Sequence, residues 1–279
     1  MNRKHIGYYD LWDTIYKVPH HNLTIIGHSR GSEKTGFYIP ELKLFFDAGL
    51  QSLFEPNYIF ITHGHADHSF ALPMLLTNIK TNPKIYVPYE QEKLFINFCD
   101  ATFQLTMNDP NTKNKYPIVG VVENDIIEIG NMYSIKVYNL NHCVPCRGYG
   151  LRHQKTKLKK EYMNKTREEI KLLKEHKVEI IEIITEKILI YLTDTAPVFN
   201  DDILEYPVII TECTFYKPEE ITVANTAGHT HWQSLKPIIE THPDKTFILI
   251  HLSMRYGLEE VTQFLKPFDF KNVILVGQT

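Results

Sequence analysis

The sequence has little cysteine and no long apolar run, and these two scarcities exclude whole classes of protein. Its four cysteines are too few and too irregularly spaced for a disulfide framework in a chain of 279 residues. The 13 glycines and 15 prolines are scattered and no short period repeats, which excludes collagen-like, coiled-coil and low-complexity chains. No stretch approaches the length of a membrane span, and the opening segment is polar and aromatic rather than apolar. We therefore expect a cytoplasmic or otherwise intracellular protein, not a secreted one, with no membrane partner.

The composition is that of a globular chain with a sizeable core. Hydrophobic residues make up 43% and charged residues 23% of the sequence, which suits one large domain. The net charge is only −3, but residues 152–177 contain ten Lys or Arg against four Glu. A basic segment on an otherwise acidic body is a candidate place for contact with a polyanion.

Apolar runs bounded by Gly, Pro or Asp predict buried strands, and amphipathic spacing predicts helices. Strands are predicted at 23–26, 42–46, 58–62, 84–87, 125–129, 134–140, 180–184, 187–192, 207–211, 246–250 and 273–276, and helices at 90–98, 157–177, 232–241 and 258–264. The strands fall into two clusters, each with its own helices and no flexible linker between them. We predict an α/β fold of two packed sheets flanked by helices, a single four-layer αββα domain over residues 1–279 with a basic helical insert around 152–180.

The strongest chemical signal is a loop directly after the predicted strand 58–62. His63, His65, Asp67 and His68 place four potential metal ligands within six positions. A chance cluster of surface histidines is the alternative, but this spacing immediately after an apolar strand favours metal binding. The loop therefore predicts a site for one or two metal ions.

A pair of metal ions needs more ligands than this loop supplies, and three other predicted strands end in suitable residues. His142 follows strand 134–140, Asp194 follows strand 187–192 and His251 follows strand 246–250. Side chains at four strand ends converge only if those ends share one edge of the fold. The predicted metal site therefore also predicts that these four strand ends lie at one edge of the fold.

A set of motifs runs along most of the chain. They are Phe46-Asp-Ala-Gly49, the loop 63–68, His142-Cys-Val-Pro-Cys-Arg-Gly-Tyr149, Thr193-Asp-Thr195, Glu212-Cys-Thr-Phe215, Gly228-His-Thr-His231 and His251-Leu-Ser-Met-Arg-Tyr256. With these motifs, in family order, the chain resembles the metallo-β-lactamase superfamily. Within it the resemblance is to the ribonuclease Z group, endonucleases that remove the 3′ trailer of precursor tRNA. Stretch 157–181 looks most like the short, plant-type members.

The resemblance implies the αββα metallo-β-lactamase sandwich and two zinc ions, with manganese or iron also able to occupy such sites. It implies that Asp194 bridges the two ions. One ion would be held by His63, His65, His142 and Asp194, and the other by Asp67, His68, His251 and Asp194.

The resemblance also implies the catalytic roles. A water shared by the two ions becomes the nucleophile and is oriented by Asp67. His229, oriented by Glu212, protonates the leaving 3′ oxygen, although a turn histidine and a surface carboxylate are the alternative for this pair. Asp47 is expected to orient a ligand histidine, with a turn aspartate as the alternative.

Candidate RNA contacts are Lys157, Lys159 and Lys160 in the basic stretch and Arg255 and Tyr256 in the last motif. A solvated helix explains the lysines equally well, and packing of the loop explains the other two. The chain lacks the Gly/Pro-rich flexible arm of bacterial-type relatives. Either the basic helix replaces that arm, or tRNA is held differently, or tRNA is not the substrate. Family analogy also implies a homodimer, with RNA, as precursor tRNA, as the other partner.

Several other interpretations stay open at this point. The same metal centre also suits a small-molecule hydrolase acting on a thioester, lactone or β-lactam, a general RNA or DNA nuclease, or an inactive RNA-binding module. Cys143 and Cys146 are expected to line the pocket beside His142 rather than form a structural zinc site, which needs two more ligands. Histidines in polar or charged stretches are expected to be solvated, namely His20, His21, His153, His176 and His242.

Overall fold

The computed structural model describes residues 11–276, and most of the polar opening segment lies outside that range. Two seven-stranded sheets pack face to face. The first sheet contains, in spatial order, β1 (Thr14–Val18), β2 (Leu23–Arg30), β3 (Lys34–Ile39), β4 (Leu44–Phe46), β5 (Tyr58–Phe60), β6 (Lys84–Pro88) and β7 (Ile118–Val121). The second contains β8 (Ile126–Ile129), β9 (Tyr133–Leu140), β10 (Cys146–Leu158), β11 (Ile181–Leu192), β12 (Val208–Glu212), β13 (Thr246–Ile250) and β14 (Val273–Leu275), so its spatial order also follows the chain.

Helices cover the outer faces of both sheets. They are α1 (Ala66–Ser69), α2 (Leu72–Asn78), α3 (Glu92–Met107), α4 (Arg167–Glu175), α5 (Asp201–Leu204), α6 (Ile221–Ala227), α7 (Trp232–Thr241) and α8 (Leu258–Leu265). The exception is α4, which lies between β10 and β11 in the chain and buries no residue. Within residues 11–276, no helix is both long enough and apolar enough to cross a membrane.

Three apolar clusters account for the layers. Between the sheets, aromatic rings from both sides pack together, with the ring centroids of Phe46 and Tyr191 5.1 Å apart and those of Phe60 and Tyr149 5.0 Å apart. A second cluster lies under α2 and α3, and a third under α7 and α8. Each buried aromatic side chain contributes roughly 1.5–3 kcal/mol over an exposed one. The predicted four-layer αββα sandwich is confirmed.

The directions of the strands bring together the loops that carry the predicted metal ligands. The pairs β4 with β5 and β11 with β12 and β13 are parallel, and β9 runs in the same direction as β11 because β10 lies antiparallel between them. Parallel strands end at the same edge of their sheet. The loops that follow these strands therefore lie at one edge of the sandwich.

The predicted helix 157–177 is only partly confirmed, because α4 covers residues 167–175 whereas residues 157 and 158 belong to strand β10. Strand β10 continues to Leu158 and pairs with β11, which is a single strand rather than the two predicted ones, as far as the Leu158–Ile181 pair. We call residues 152–187 the arm. Only its tip is helical, with a 3-10 turn (Lys160–Tyr162) and α4, which begins at a capping box formed by Thr166 and Glu169.

The error has a physical cause. Residues 152–158 have the charged composition of an exposed helix, but each of them pairs with a residue of β11. The Ile-rich sequence of that partner strand favours extended structure. A contact with a distant segment decides the conformation here, and local periodicity does not contain it.

Candidate metal centre

All seven predicted metal ligands meet at the edge of the sandwich where the strands end. The loop after β5 and the short helix α1 supply four of them, and the loops after β9, β11 and β13 supply one each. They form two groups of donor atoms within 4.8 Å of one another: His63, His65, His142 and Asp194 in the first, and Asp67, His68 and His251 in the second.

Asp194 lies between the two groups. Its side chain is buried, and its Oδ1 is 3.4 Å from His68 Nε2. Its Oδ2 is 3.1 Å from His251 Nε2 and 3.8 Å from His63 Nε2. One carboxylate thus faces donor atoms of both groups, as a bridging ligand must.

The chemistry of the donor atoms fits divalent cations. His63 Nε2 and His68 Nε2 are buried and have no hydrogen-bond partner anywhere in residues 11–276. A buried polar atom without a partner is costly, and a bound cation removes that cost. Imidazole and carboxylate are the ligand types that Zn²⁺ takes in proteins.

Asp47 orients one of these ligands. It follows β4 with a left-handed backbone (φ 58°) and is completely buried. Its carboxylate accepts hydrogen bonds from the Thr62 backbone N–H (2.8 Å), the Tyr191 hydroxyl (2.7 Å) and His68 Nδ1–H (2.9 Å). Since Nδ1 of His68 carries the proton, the lone pair of Nε2 points toward Asp194 and Asp67.

Two other ligand histidines are oriented in the same way by groups that sequence reasoning missed. His142 Nδ1–H donates to the Gly228 carbonyl (3.0 Å), which no sequence signal marks because it is a backbone atom. His251 Nδ1–H donates to the Thr214 hydroxyl (2.9 Å), which itself donates to Glu212. Thr214 stands inside the motif Glu212-Cys-Thr-Phe215, so its proximity to Glu212 was the available signal.

One glycine allows the loop to reach this position. A Cβ atom on Gly49 would lie 1.7 Å from the backbone oxygen of Asp67. The metal loop therefore packs against the chain after β4 at a distance that only glycine permits.

The electrostatics of the cluster favour the metal-binding protonation states for most ligands. Burial and the neighbouring imidazoles lower the pKa of His63 well below its usual value, which keeps the ring neutral. Burial opposes ionisation of Asp67 and Asp194, yet hydrogen bonding to His251 and the adjacent imidazoles lower the pKa of both. For His68 burial is outweighed by Asp194 and Asp47, which raise its pKa to about 9. A proton on His68 therefore competes with a cation below about pH 9.

A histidine–carboxylate pair lies beside the cluster. Glu212, at the end of β12, is completely buried, and its Oε1 is 2.9 Å from His229 Nδ1. Glu212 also accepts hydrogen bonds from the Thr195 backbone N–H (2.6 Å) and the Thr214 hydroxyl. The side chain of His229 is 15% exposed, and its ring stacks on His251 at 5.4 Å.

The pair is arranged as a proton donor. Burial lowers the pKa of His229, but the hydrogen bond to Glu212 more than offsets it, so the pKa is raised above its usual value. With Nδ1–H directed at Glu212, Nε2 is free to hold the proton that an acid catalyst gives up. The structure thus brings the predicted acid and its predicted partner into contact next to the ligands.

The predicted RNA contacts are not all accessible. Tyr256 is 2% exposed and its hydroxyl donates to Glu220, so its ring packs the loop and is not available to a base. Arg255 is exposed, pairs with Glu220 at 3.2 Å and lies over the Phe215 ring. Lys157, Lys159 and Lys160 lie on the arm away from the metal cluster, and Lys159 pairs with Glu179 at 3.4 Å.

The cysteines line the pocket and do not form a zinc site of their own. Cys146 is buried with its Sγ 3.7 Å from His63 Nδ1, and burial raises its thiol pKa well above the usual value. Cys143 is exposed, with its Sγ 3.6 Å from His142 Nε2. Cys99 and Cys213 belong to two separate apolar clusters.

Comparisons with known proteins agree with this geometry. The family model for the metallo-beta-lactamase superfamily matches residues 43–117. The tRNase Z TRZ1 of Arabidopsis thaliana is 29% identical over 250 residues, covering 85% of this chain and 88% of that protein. The chloroplastic tRNase Z TRZ2 of the same plant is also 29% identical, covering 88% of this chain and 72% of its own.

Solved structures show the same fold. The metallo-beta-lactamase fold protein YhfI from Bacillus subtilis superposes with a TM-score of 0.55 at 16% identity, covering 90% of this chain and 94% of its own. The short form of human tRNase Z superposes with a TM-score of 0.51 at 19% identity, covering 94% and 93%.

Proposed function

We propose that the chain is a metal-dependent endoribonuclease of the metallo-β-lactamase superfamily, because that family's model matches residues 43–117 and the candidate metal centre stands beside a histidine–glutamate pair. It removes the 3′ trailer of precursor tRNA. The two Arabidopsis relatives, which match most of the chain, are both named tRNase Z, and this supports the substrate.

In this proposal the centre takes two zinc ions. His63, His65 and His142 would hold the first, Asp67, His68 and His251 would hold the second, and Asp194 would be a ligand to both, which its position between the two groups supports. When bound, the ions activate a water and stabilise negative charge on the phosphoryl oxygens.

The protein side chains handle the protons. Asp67, whose pKa is lowered, is ionised at neutral pH and accepts the proton of the attacking water. His229 gives the proton on Nε2 to the leaving 3′ oxygen, while Glu212 holds the imidazole in position through Nδ1. The products are a tRNA body with a 3′-hydroxyl and a trailer with a 5′-phosphate.

The observation that carries the proposal is the contact between His229 and Glu212 beside the metal ligands. A thioester, lactone or β-lactam has no ribose 3′ oxygen as its leaving group, so its cleavage does not require an acid placed to protonate one. We therefore favour the RNA substrate over a small-molecule hydrolase with the same metal centre.

The test compares the wild type with His229→Ala on a labelled precursor tRNA and on a chromogenic β-lactam, each with and without chelator. We expect RNA cleavage to fall roughly 100- to 10,000-fold with unchanged metal content, since removal of a general acid costs that much. His242→Ala, at the C-terminal end of α7, is the matched control. Unchanged RNA cleavage in His229→Ala, or chelator-sensitive turnover of the lactam alone, would reject the assignment.

Two further parts of the proposal concern the oligomeric state of the enzyme and its location in the cell. The enzyme is a homodimer, and exposed apolar side chains just before α2 and on α2 and α3 support an interface there: Phe70, Met74, Leu94, Leu105 and Met107. Since precursor tRNA is made inside the cell, the enzyme acts there.

A further inference from the structure

A second cluster of potential metal ligands lies outside the candidate metal centre, at the foot of the arm. It consists of His21, in the turn between β1 and β2, His153 on β10 and Glu186 on β11. One donor atom from each lies within 4.8 Å of the others. The first sheet contributes one ligand and the second sheet two, so these residues connect the sheets where the arm leaves the sandwich.

The backbone places two of the three ligands side by side. His153 and Glu186 are direct partners in the antiparallel β10–β11 register, so their side chains point to the same face of the sheet. On the other side of His153, its β9 partner Tyr133 stacks on the imidazole with ring centroids 4.6 Å apart. The histidine ring is thereby held in one orientation before any ligand binds.

The distance between the two ligands on different sheets is close to that in a metal ligand set. His21 Nε2 and Glu186 Oε2 are 3.6 Å apart. Two ligands of a tetrahedral zinc ion with bonds of about 2.0 Å lie about 3.3 Å from each other. His153 Nδ1 is buried and lacks a hydrogen-bond partner within residues 11–276. It is therefore a buried nitrogen whose missing partner a cation would replace.

The charge states also suit a cation. Burial lowers the pKa of His21, despite the opposing effect of Glu186, so the imidazole is neutral at pH 7. A hydrogen bond from Lys155 lowers the pKa of Glu186, so the carboxylate is ionised. Neutral imidazole and ionised carboxylate are the forms that bind metal.

We propose that His21, His153 and Glu186 bind a zinc ion that joins the turn after β1 to the foot of the arm. Two histidines and one glutamate form a zinc ligand set in which water occupies the fourth position. The ion links the two sheets and restrains the arm, and its fourth position stays open to water. Nothing in this site depends on the catalytic function proposed above.

The neighbouring Lys155 allows a test in which two substitutions have opposite effects on zinc binding. The Lys155 ammonium contacts Glu186 and competes with the ion for the same carboxylate. Replacing this lysine should therefore strengthen zinc binding, whereas replacing a ligand should abolish it.

The experiment titrates Zn²⁺ by calorimetry into full-length protein whose catalytic centre is already loaded, using wild type, His153→Ala, His21→Asn and Lys155→Met. We expect one further binding event in the wild type, its loss in His153→Ala, at least about 10-fold weaker binding in His21→Asn and tighter binding in Lys155→Met. His20→Ala is the matched control, because His20 is exposed and adjacent in sequence but outside the cluster.

Total zinc per chain, measured by mass spectrometry, separates this site from the catalytic one. His153→Ala should retain the ions of the catalytic centre and full tRNA cleavage under saturating conditions, which also shows that it folds. Identical titrations for the wild type and His153→Ala would overturn the proposal. So would an equal loss in His20→Ala, because this would indicate nonspecific binding to surface histidines.

Discussion

At the scale of single residues, the geometry of the centre is decided by the atoms behind the ligands. Asp47, the Gly228 carbonyl and Thr214 each take the Nδ1 proton of one ligand histidine, so Nε2 is left as the donor atom. Glu212 does the same for His229, which is not a predicted ligand. One type of contact thus prepares a ring either to bind a cation or to donate a proton, depending on what faces Nε2.

The pH dependence of cleavage follows from the pair Glu212 and His229. The carboxylate raises the pKa of His229, so the catalytic protonated form persists at neutral pH and is lost as pH rises through that raised value. In Glu212→Gln this support is gone, and the alkaline fall of kcat should move to lower pH. At pH 8 we expect kcat to drop at least about 10-fold, with a smaller loss at pH 6.

The measurement is the pH profile of kcat on precursor tRNA. Glu219→Gln, an exposed carboxylate on the same loop, should leave the profile unchanged. A Glu212→Gln profile that keeps its wild-type shape and is merely lowered at every pH would contradict a pKa role for the carboxylate.

At the scale of elements, the arm is the feature that distinguishes this chain. It extends β10 and β11 beyond the sandwich and carries the basic residues of stretch 152–177. Several of these cations are paired, such as Lys165 with Glu169 and Lys159 with Glu179. Within residues 11–276, Lys157 and Lys160 have no carboxylate within 4.0 Å, so their charge is available to a phosphate.

We predict that Lys157→Ala with Lys160→Ala weakens precursor tRNA binding about 10-fold and leaves kcat at saturation unchanged. The slope of log affinity against log salt should become shallower by about two, because each of the two lysines neutralises one phosphate. The matched control is Lys80→Ala with Lys84→Ala, two exposed lysines near the start of β6, at the opposite end of the strand from the metal loop. An unchanged salt slope would show that the arm lysines do not bind RNA.

At the scale of the whole molecule, the metal centre exists only when the two sheets are docked. The loop with His63 and His68 belongs to the first sheet, whereas Asp194 and His251 follow strands of the second. A cation bound between them favours the folded state, since the unfolded chain has no such site. Catalytic competence and the packing of the sandwich are therefore linked.

The homodimer is tested at the same scale. Leu94 and Leu105 lie on one exposed face of α3, three turns apart, near the contact between Phe70 and Phe98. Glutamate at both positions should weaken dimerisation by at least about 100-fold, because burying two leucines contributes roughly 3 kcal/mol or more. Analytical ultracentrifugation measures this. Met132→Glu, at an equally exposed apolar site in the turn between β8 and β9, should leave the dimer intact. A dimer that survives the double substitution would place the interface elsewhere.

Local sequence was enough for the parts of the molecule that depend on local chemistry. Helix 232–241 and strand 246–250 were predicted with the observed bounds, because apolar periodicity and the flanking residues define them. The ligand types and their place at strand ends were equally visible in the chain, since His63, His142 and His251 follow directly on apolar runs.

Long-range contacts decided the rest. The first residues of the arm are strand and not helix because they pair with a segment more than twenty residues away, whereas the helix predicted further along is present as α4. Thr214 and the Gly228 carbonyl acquire their roles only when distant loops meet. His21 and His153, which polar surroundings in the sequence marked as solvated, become neighbours because the sandwich brings a turn of one sheet against the strands of the other. Composition and spacing describe what a residue can do, whereas its partners are set by the packing of the two sheets.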